Sequence, residues 1–278
     1  MLSQWRALSA TVLLMAAGVL LAASSASTIR EEHELLIIGT EYSFEAPAEF
    51  APGVVTLRFV NRGTAELHNA ALIRLTGGHT QEDFSEAMRV SLPAPEWAVH
   101  VGGVESIPPG SEAQATAILK PGPHLIVCYH GEGKGLPHHA LGMIKTLDVV
   151  GPTSAATEPE FDVDLVMFDY GYGMSDSLQA GHQIIRVVGA GPQTHNVLIW
   201  RLKDGKTGSE LSDWLQSDRS LPGPAQPIGG LTPLAPGERA YLPIDLEPGR
   251  YVFLCLVPDV DDQRTHLAHG MIREFHIR

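Results

Sequence analysis

The stretch Cys128-Tyr-His-Gly-Glu-Gly-Lys-Gly-Leu-Pro-His-His-Ala-Leu-Gly-Met143 gathers one thiol, three imidazoles and one thioether into sixteen residues. Taken alone it fits a metal site, half of a disulfide or a polar loop. A second stretch, Cys255-Leu-Val-Pro-Asp-Val-Asp-Asp-Gln-Arg-Thr-His-Leu-Ala-His-Gly-Met271, narrows the choice. Nine residues separate Cys128 from His138 and ten separate Cys255 from His266, and in each stretch four residues separate that His from the Met. The two loops differ almost everywhere else. What they share is Cys, His and Gly-Met, a set with metal-binding chemistry.

Outward from these loops the chain repeats itself at an offset of 127 residues. Leu67-His-Asn-Ala-Ala-Leu-Ile-Arg-Leu75 answers Thr194-His-Asn-Val-Leu-Ile-Trp-Arg-Leu202, and the same offset relates Gly102-Gly103 to Gly229-Gly230, Pro109-Gly110 to Pro236-Gly237 and Cys128 to Cys255. A period this long implies two copies of a self-sufficient domain rather than a solenoid. A length of 278 residues agrees, at roughly 100–200 residues per domain. The expected organisation is an export signal at 1–26, a first domain at 27–151, a small, polar, proline-bearing linker at 152–160 and a second domain at 161–278.

Short apolar runs punctuated by 28 Gly and 20 Pro favour strands over helices. In the first copy the runs Glu34–Phe44, Gly53–Val60, His68–Leu75, Glu112–Leu119 and His124–Cys128 read as strands. In the second, Phe161–Phe168, His182–Val188, His195–Leu202, Arg239–Ile244 and Arg250–Val257 do. The runs leading into each Cys are apolar on both faces, which predicts central strands. Thr80 with Asp83, and Thr207 with Glu210, have capping-box spacing ahead of one short helix per copy. The expected fold is all-β, two Greek-key sandwiches each with one short helix.

One thiolate, two imidazoles and a thioether are the ligands of a blue-copper site, where two His and a Cys form a trigonal plane and a weakly bound Met occupies the axis. His68-Asn69 and His195-Asn196-Val197 supply the second imidazole of each set, upstream of the Cys. With these residues in place the chain resembles the cupredoxins over nearly all of both halves. His195-Asn196-Val197 is similar to the His-Asn-Val of plastocyanin-type domains, where the Asn backbone supports the ligand thiolate. The resemblance implies two type 1 copper sites, with His68, Cys128, His138 and Met143 in one and His195, Cys255, His266 and Met271 in the other. The two-domain arrangement and long Cys-to-His gap resemble copper nitrite reductase. The His that in that family adjoins the Cys and leads to a catalytic copper is missing, since Cys128 lies between Val127 and Tyr129 and Cys255 between Leu254 and Leu256. The resemblance therefore implies one-electron transfer or copper binding, an electron carrier more than an enzyme, with the electron passing at an exposed edge of His138 or His266.

His138 is chosen over His139 because it, like His266, stands five residues before the Met. His139 and His269 are expected to be exposed neighbours of the pocket, and His130 and His100 solvated. The competing readings are copper storage or delivery, a metal-free binding module, a Cys128–Cys255 disulfide, and an oxidoreductase with a further copper at His130, His139 or His269. The disulfide leaves both His-Asn pairs and both Gly-Met pairs unexplained.

The net charge of −13 argues against a nucleic-acid partner and suits a basic redox partner such as a cytochrome or another electron carrier. Residues 1–26 carry Arg6, an apolar run from Ala7 to Ala23 and small residues at the end, the pattern of an export signal. The expected location is periplasmic or secreted, with an uncleaved N-terminal anchor as the alternative and no membrane span in the mature chain.

Overall fold

The computed structural model describes residues 33–90, 93–131, 135–219 and 221–278. The expected export signal lies outside the described residues. The first half contributes β1 (Glu34–Thr40), β2 (Ser43–Glu45), β3 (Glu49–Phe50), β4 (Gly53–Asn61), β5 (His68–Leu75), β6 (Ala98–Ile107), β7 (Glu112–Leu119), β8 (Gly122–Val127) and β9 (Ile144–Val149). The second contributes β10 (Val163–Phe168), β11 (Gly171–Met174), β12 (Gly181–Gly189), β13 (His195–Leu202), β14 (Ala225–Leu234), β15 (Arg239–Leu246), β16 (Gly249–Leu254) and β17 (Ile272–Ile277). Helix α1 (Gln81–Val90) follows β5 and helix α2 (Gly208–Leu215) follows β13. The fold is all-β, as the runs and turns predict.

The strands form two sheets, and each sheet runs through both halves. One has the order β11-β10-β12-β15-β7-β4-β1-β2, the other β17-β16-β13-β14-β6-β5-β8-β9-β3. The halves meet where β7 faces β15, with Thr116 opposite Tyr241, and where β6 faces β14. In that second pairing Val104 lies opposite Leu231, its own equivalent 127 positions on. At this point the sheet pairs positions that correspond at the 127-residue offset. Residues 152–160 form no strand, and the Ser154 N–H donates to the Pro52 carbonyl at 2.8 Å while Arg239 Nε donates to Glu158 at 2.8 Å.

One apolar core fills the space between the sheets and draws on both halves, from Leu35, Leu57 and Ile126 to Leu165, Val187 and Phe253. The helices close the outer face of the larger sheet. Phe84 of α1 packs with Ile73, Leu125 and Val127, and Leu211 and Leu215 of α2 pack with Leu202, Val252 and Leu254. The strands leading to the Cys are therefore covered on both faces, which is why their sequences do not alternate. Both helices start at the expected caps. Asp83 N–H donates to Thr80 Oγ1 at 3.2 Å and Thr80 N–H returns to Asp83 Oδ2 at 2.9 Å. Thr207 and Glu210 repeat the reciprocal pair at 3.2 and 2.9 Å.

Three expected strands, β5, β7 and β13, have the predicted bounds. The expected Glu34–Phe44 strand is broken by a turn at 41–42 into β1 and β2, which pair antiparallel. Strands β6 and β14, which join the halves, escape pattern recognition because each carries a Gly-Gly pair. That pair has a packing reason. At Gly103 (φ 145°) a Cβ would lie 2.1 Å from the Ala70 carbonyl, and at Gly230 (φ 142°) 2.1 Å from the Val197 carbonyl. Both carbonyls belong to the strands that begin with His68 and His195, so only glycine lets β6 and β14 approach them.

Gly103→Ala and Gly230→Ala should each destabilise the protein by on the order of 3 kcal/mol in denaturant unfolding. Gly110→Ala, with φ 75° but nothing within 4 Å of the added methyl, should lose only about 1 kcal/mol. Equal losses at the three positions would refute the close-approach account.

Candidate metal centres

His68 is the first residue of β5, Cys128 follows the last residue of β8, and His138 opens a 3-10 turn, His138–Leu141, that ends just before Met143. The second half repeats this with His195 at the start of β13, Cys255 after β16, and His266 opening the turn His266–His269 before Met271. Backbone bonds lock each loop onto its Cys. Cys128 N–H reaches the Met143 carbonyl at 3.2 Å, His139 N–H the Cys128 carbonyl at 2.9 Å and Met143 N–H the His138 carbonyl at 2.9 Å. The equivalents at Cys255, Leu267 and Met271 measure 3.2, 2.8 and 2.9 Å. The loops differ in content yet close with the same three bonds.

The result is two buried clusters. His68 Nδ1 and His138 Nδ1 stand 3.0 Å apart, with Cys128 Sγ 3.9 Å from the first and 3.6 Å from the second. His195 Nδ1 and His266 Nδ1 stand 2.9 Å apart, with Cys255 Sγ 3.5 Å from His266. Within each cluster the three donor atoms all lie within 4.8 Å of one another. Both cysteines are free and each sits against its own histidine pair, so the disulfide alternative is set aside. Met143 and Met271 are fully buried beside these loops.

The electrostatics suit a soft cation. Burial pushes both thiols up to about 12, with the Asn69 and Asn196 N–H groups pulling the other way. Burial also lowers His68, His195 and His266, the last to about 4. Burial thus favours the neutral, lone-pair-bearing form of these three imidazoles and keeps both thiols protonated until a cation binds. Two imidazole nitrogens and a thiol facing one point, with a buried thioether nearby in sequence, are a donor set that copper fits.

Several expectations about exposure are corrected. His138 is 3% and His266 0% exposed, so neither offers an open imidazole edge. Tyr42 packs edge-on to His138 with ring centroids 5.0 Å apart, and Tyr170 does the same to His266 at 5.3 Å. His139 is half-buried and turned toward Phe84 and Tyr129 rather than the cluster. His269 is half-buried and stacks on Tyr170. His130 is half-buried against Ser106, and His100 is buried with Nε2 2.7 Å from the Tyr129 hydroxyl. Aromatic and polar neighbours brought in by the fold explain these cases, and isolated histidines in a sequence carry no signal of them.

No protein-family model and no curated protein sequence matches the chain. Among solved structures it is similar to dithionite-reduced auracyanin from Roseiflexus castenholzii, at 21% identity over 43% of this chain and 98% of that one, with a TM-score of 0.32. It is also similar to auracyanin A, a blue copper protein from Chloroflexus aurantiacus, at 21% identity over 42% and 98%, with a TM-score of 0.31. A copper nitrite reductase from Nitrosomonas europaea aligns over 88% of this chain and 93% of its own at 15% identity, with a TM-score of 0.25.

Two features near the clusters are invisible in the motif. Asp259, Asp262 and His269 bring ligand atoms within 4.8 Å of one another. Asp259 is there a loop clamp, accepting from Tyr170 Oη at 2.6 Å, Gln193 Nε2 at 2.8 Å and the Asp261 N–H at 2.9 Å. The other is Glu105, a buried carboxyl on β6. Asn69 N–H donates to Cys128 Sγ at 3.4 Å while Asn69 Nδ2 donates to Glu105 Oε1 at 3.3 Å. Asn196 N–H donates to Cys255 Sγ at 3.4 Å, and the Asn196 side chain is near enough to Glu105 to pull its carboxyl slightly down. One acidic side chain therefore stands between the two clusters.

Burial raises Glu105 above its ordinary value of 4.5, against the opposing pull of the Ser106 and Asn donors. A raised folded value means that the folded protein holds this proton while the unfolded chain releases it. The contribution of Glu105 to stability is greatest below 4.5 and declines as pH rises through its folded value. Glu105→Gln keeps an acceptor oxygen without the charge. The melting temperature of the metal-free variant should exceed that of the parent by a margin that grows with pH above about 4.5. A margin independent of pH would refute the assignment.

Proposed function

We propose that this chain is an exported tandem cupredoxin, with domains at 27–151 and 161–278, that holds one type 1 copper in each domain and passes single electrons between redox partners. The observation that carries the reading is recurrence: the two halves, with closing loops of different length and content, each bring His, Cys and His to one buried point. His68, Cys128, His138 and Met143 would hold one ion, and His195, Cys255, His266 and Met271 the other. Bound there, copper supplies a one-electron couple.

What the chain contributes follows from its own groups. The two Nδ1 atoms of each cluster offer lone pairs, and the thiol releases its proton to solvent when the ion arrives. The Asn69 and Asn196 N–H groups, aimed at sulfur, offset the thiolate charge that remains. Backbone bonds hold the loop, and burial keeps water from entering as an additional ligand. A rigid, dry donor set reorganises little when charge changes, which favours electron transfer over substrate chemistry. The residues beside each Cys, Val127 and Tyr129 or Leu254 and Leu256, provide no imidazole leading to a further ion. The acidic surface supports a basic redox partner, and the leader supports a periplasmic or secreted setting.

Copper-loaded protein should bind two ions per chain and show an intense visible thiolate-to-copper band. Cys128→Ser and Cys255→Ser should each remove about half of it, and the double variant all of it. In metal-free native protein both thiols should resist a disulfide reagent at pH 8, where groups titrating near 12 are protonated, and react after unfolding. Colourless copper protein, or zinc bound in preference, would overturn the type 1 reading.

A further inference from the structure

The two clusters contain the same donors but sit in different surroundings. In the second half His195 Nε2, the nitrogen facing away from the cluster, lies 2.7 Å from Asp169 Oδ1. In the first half the corresponding His68 Nε2 is buried with no hydrogen-bond partner. The acid is not missing there. Glu41 occupies the turn after β1 as Asp169 occupies the turn after β10, and a glycine stands beside each acid–histidine pair. A Cβ on Gly63 would lie 3.1 Å from both Glu41 Oε1 and His68 Nε2, and one on Gly191 2.6 Å from Asp169 Oδ1 and 2.9 Å from His195 Nε2. The longer Glu41 side chain instead accepts from the Thr64 N–H and, at 3.1 Å, from its hydroxyl.

Further negative charge lies beside the second-half pair. His266 Nε2 lies 3.2 Å from Gln193 Oε1 and 3.9 Å from Asp259 Oδ2. The Asp259 carboxyl is held ionised by the donors from Tyr170 and Gln193. A carboxylate bound to the outer nitrogen of a ligating imidazole makes that ligand more basic, and negative charge nearby favours the more positive state of whatever the cluster binds. Glu105 does not offset this, because it stands between the clusters and bears on both thiols.

We propose that the two sites are an unequal pair, in which the Asp169–His195 contact sets the second-half site at the lower potential, so that the electron in a half-reduced chain rests at the first-half site. This rests on the copper reading above. Asp169 acts through His195 and is a positioning residue. The internal step moves one electron from the Cys255 site to the Cys128 site, oxidising the first and reducing the second, with no bond made or broken and no proton transferred. The electron enters the chain from an external one-electron carrier.

The test is a redox titration of the copper-loaded protein with ascorbate and ferricyanide, followed by the visible band, after metal analysis of each sample. Cys128→Ser, retaining only the second-half site, should have a midpoint below that of Cys255→Ser by at least a tenfold electron partition, about 59 mV for one electron. Asp169→Asn placed in the Cys128→Ser background should raise that midpoint, and placed in the Cys255→Ser background should leave it unchanged. Equal midpoints, the reverse order, or a midpoint unmoved by Asp169→Asn would overturn the proposal. Should Asp169→Asn fail to fold, nitrogen-15 spectra of metal-free parent protein decide the contact: a proton on His195 Nε2, hydrogen-bonded to a carboxylate, supports it and a proton on Nδ1 opposes it. Absence of the visible band from every sample would instead sink the copper reading and leave the midpoint order without meaning, a distinct result.

Discussion

Everything at the two clusters depends on one side chain per half that ties the strand bearing the first histidine to the strand bearing the cysteine. Asn69 aims its N–H at Cys128 Sγ, accepts the Tyr129 N–H on Oδ1 at 2.9 Å and donates from Nδ2 to Glu105. Asn196 repeats the first two with Cys255 and the Leu256 N–H, the latter at 3.0 Å. One residue can do this because its backbone N–H faces the sulfur while its side-chain Oδ1 accepts from the residue that follows the Cys. It fixes where the sulfur sits relative to the imidazole that precedes the Asn, before any ion is considered. The closing loop needs only to bring in the second imidazole, and its own backbone bonds to the Cys do that. Its other positions take no part in these bonds, which is why the two loops can differ so widely around the same endpoint.

The same logic explains what was legible in the sequence. The six His and Cys residues that gather in the two clusters were readable because the chain contains its own comparison: two stretches that diverge in their loops and agree at His, Cys, His and Met. The strands that alternate cleanly or run apolar between turns, such as His68–Leu75 and His195–Leu202, were readable for the ordinary reason that half-buried and fully buried strands have characteristic patterns. Their central position, β8 between β5 and β9 and β16 between β13 and β17, followed from the same runs.

What was illegible lies where the halves meet. Ala98–Ile107 contains His100, Gly102, Gly103 and Glu105, and Ala225–Leu234 contains Pro227, Gly229, Gly230 and Pro233. By local propensity neither should be a strand. Each is one because a neighbouring strand approaches so closely that a side chain would not fit, a tertiary requirement that leaves no periodic trace. The burial of His138 and His266 was missed for a related reason. Spacing locates a ligand along the chain, while Tyr42 and Tyr170, which roof the two imidazoles, come from turns about a hundred residues away in sequence.

The self-equivalent pairing of Val104 with Leu231 has a consequence for the residue beside it. Were this contact made between two identical chains, symmetry would place the same side chain at both equivalent positions. Two copies of Glu105 would set two carboxyls close together in a buried setting, where like charges cannot both ionise without large cost. Within one chain the two positions are free to differ. Here the position answering Glu105 is Thr232, fully buried and neutral. Joining the halves in one chain thus allows a single acid to serve two thiols, an arrangement closed to a homodimer.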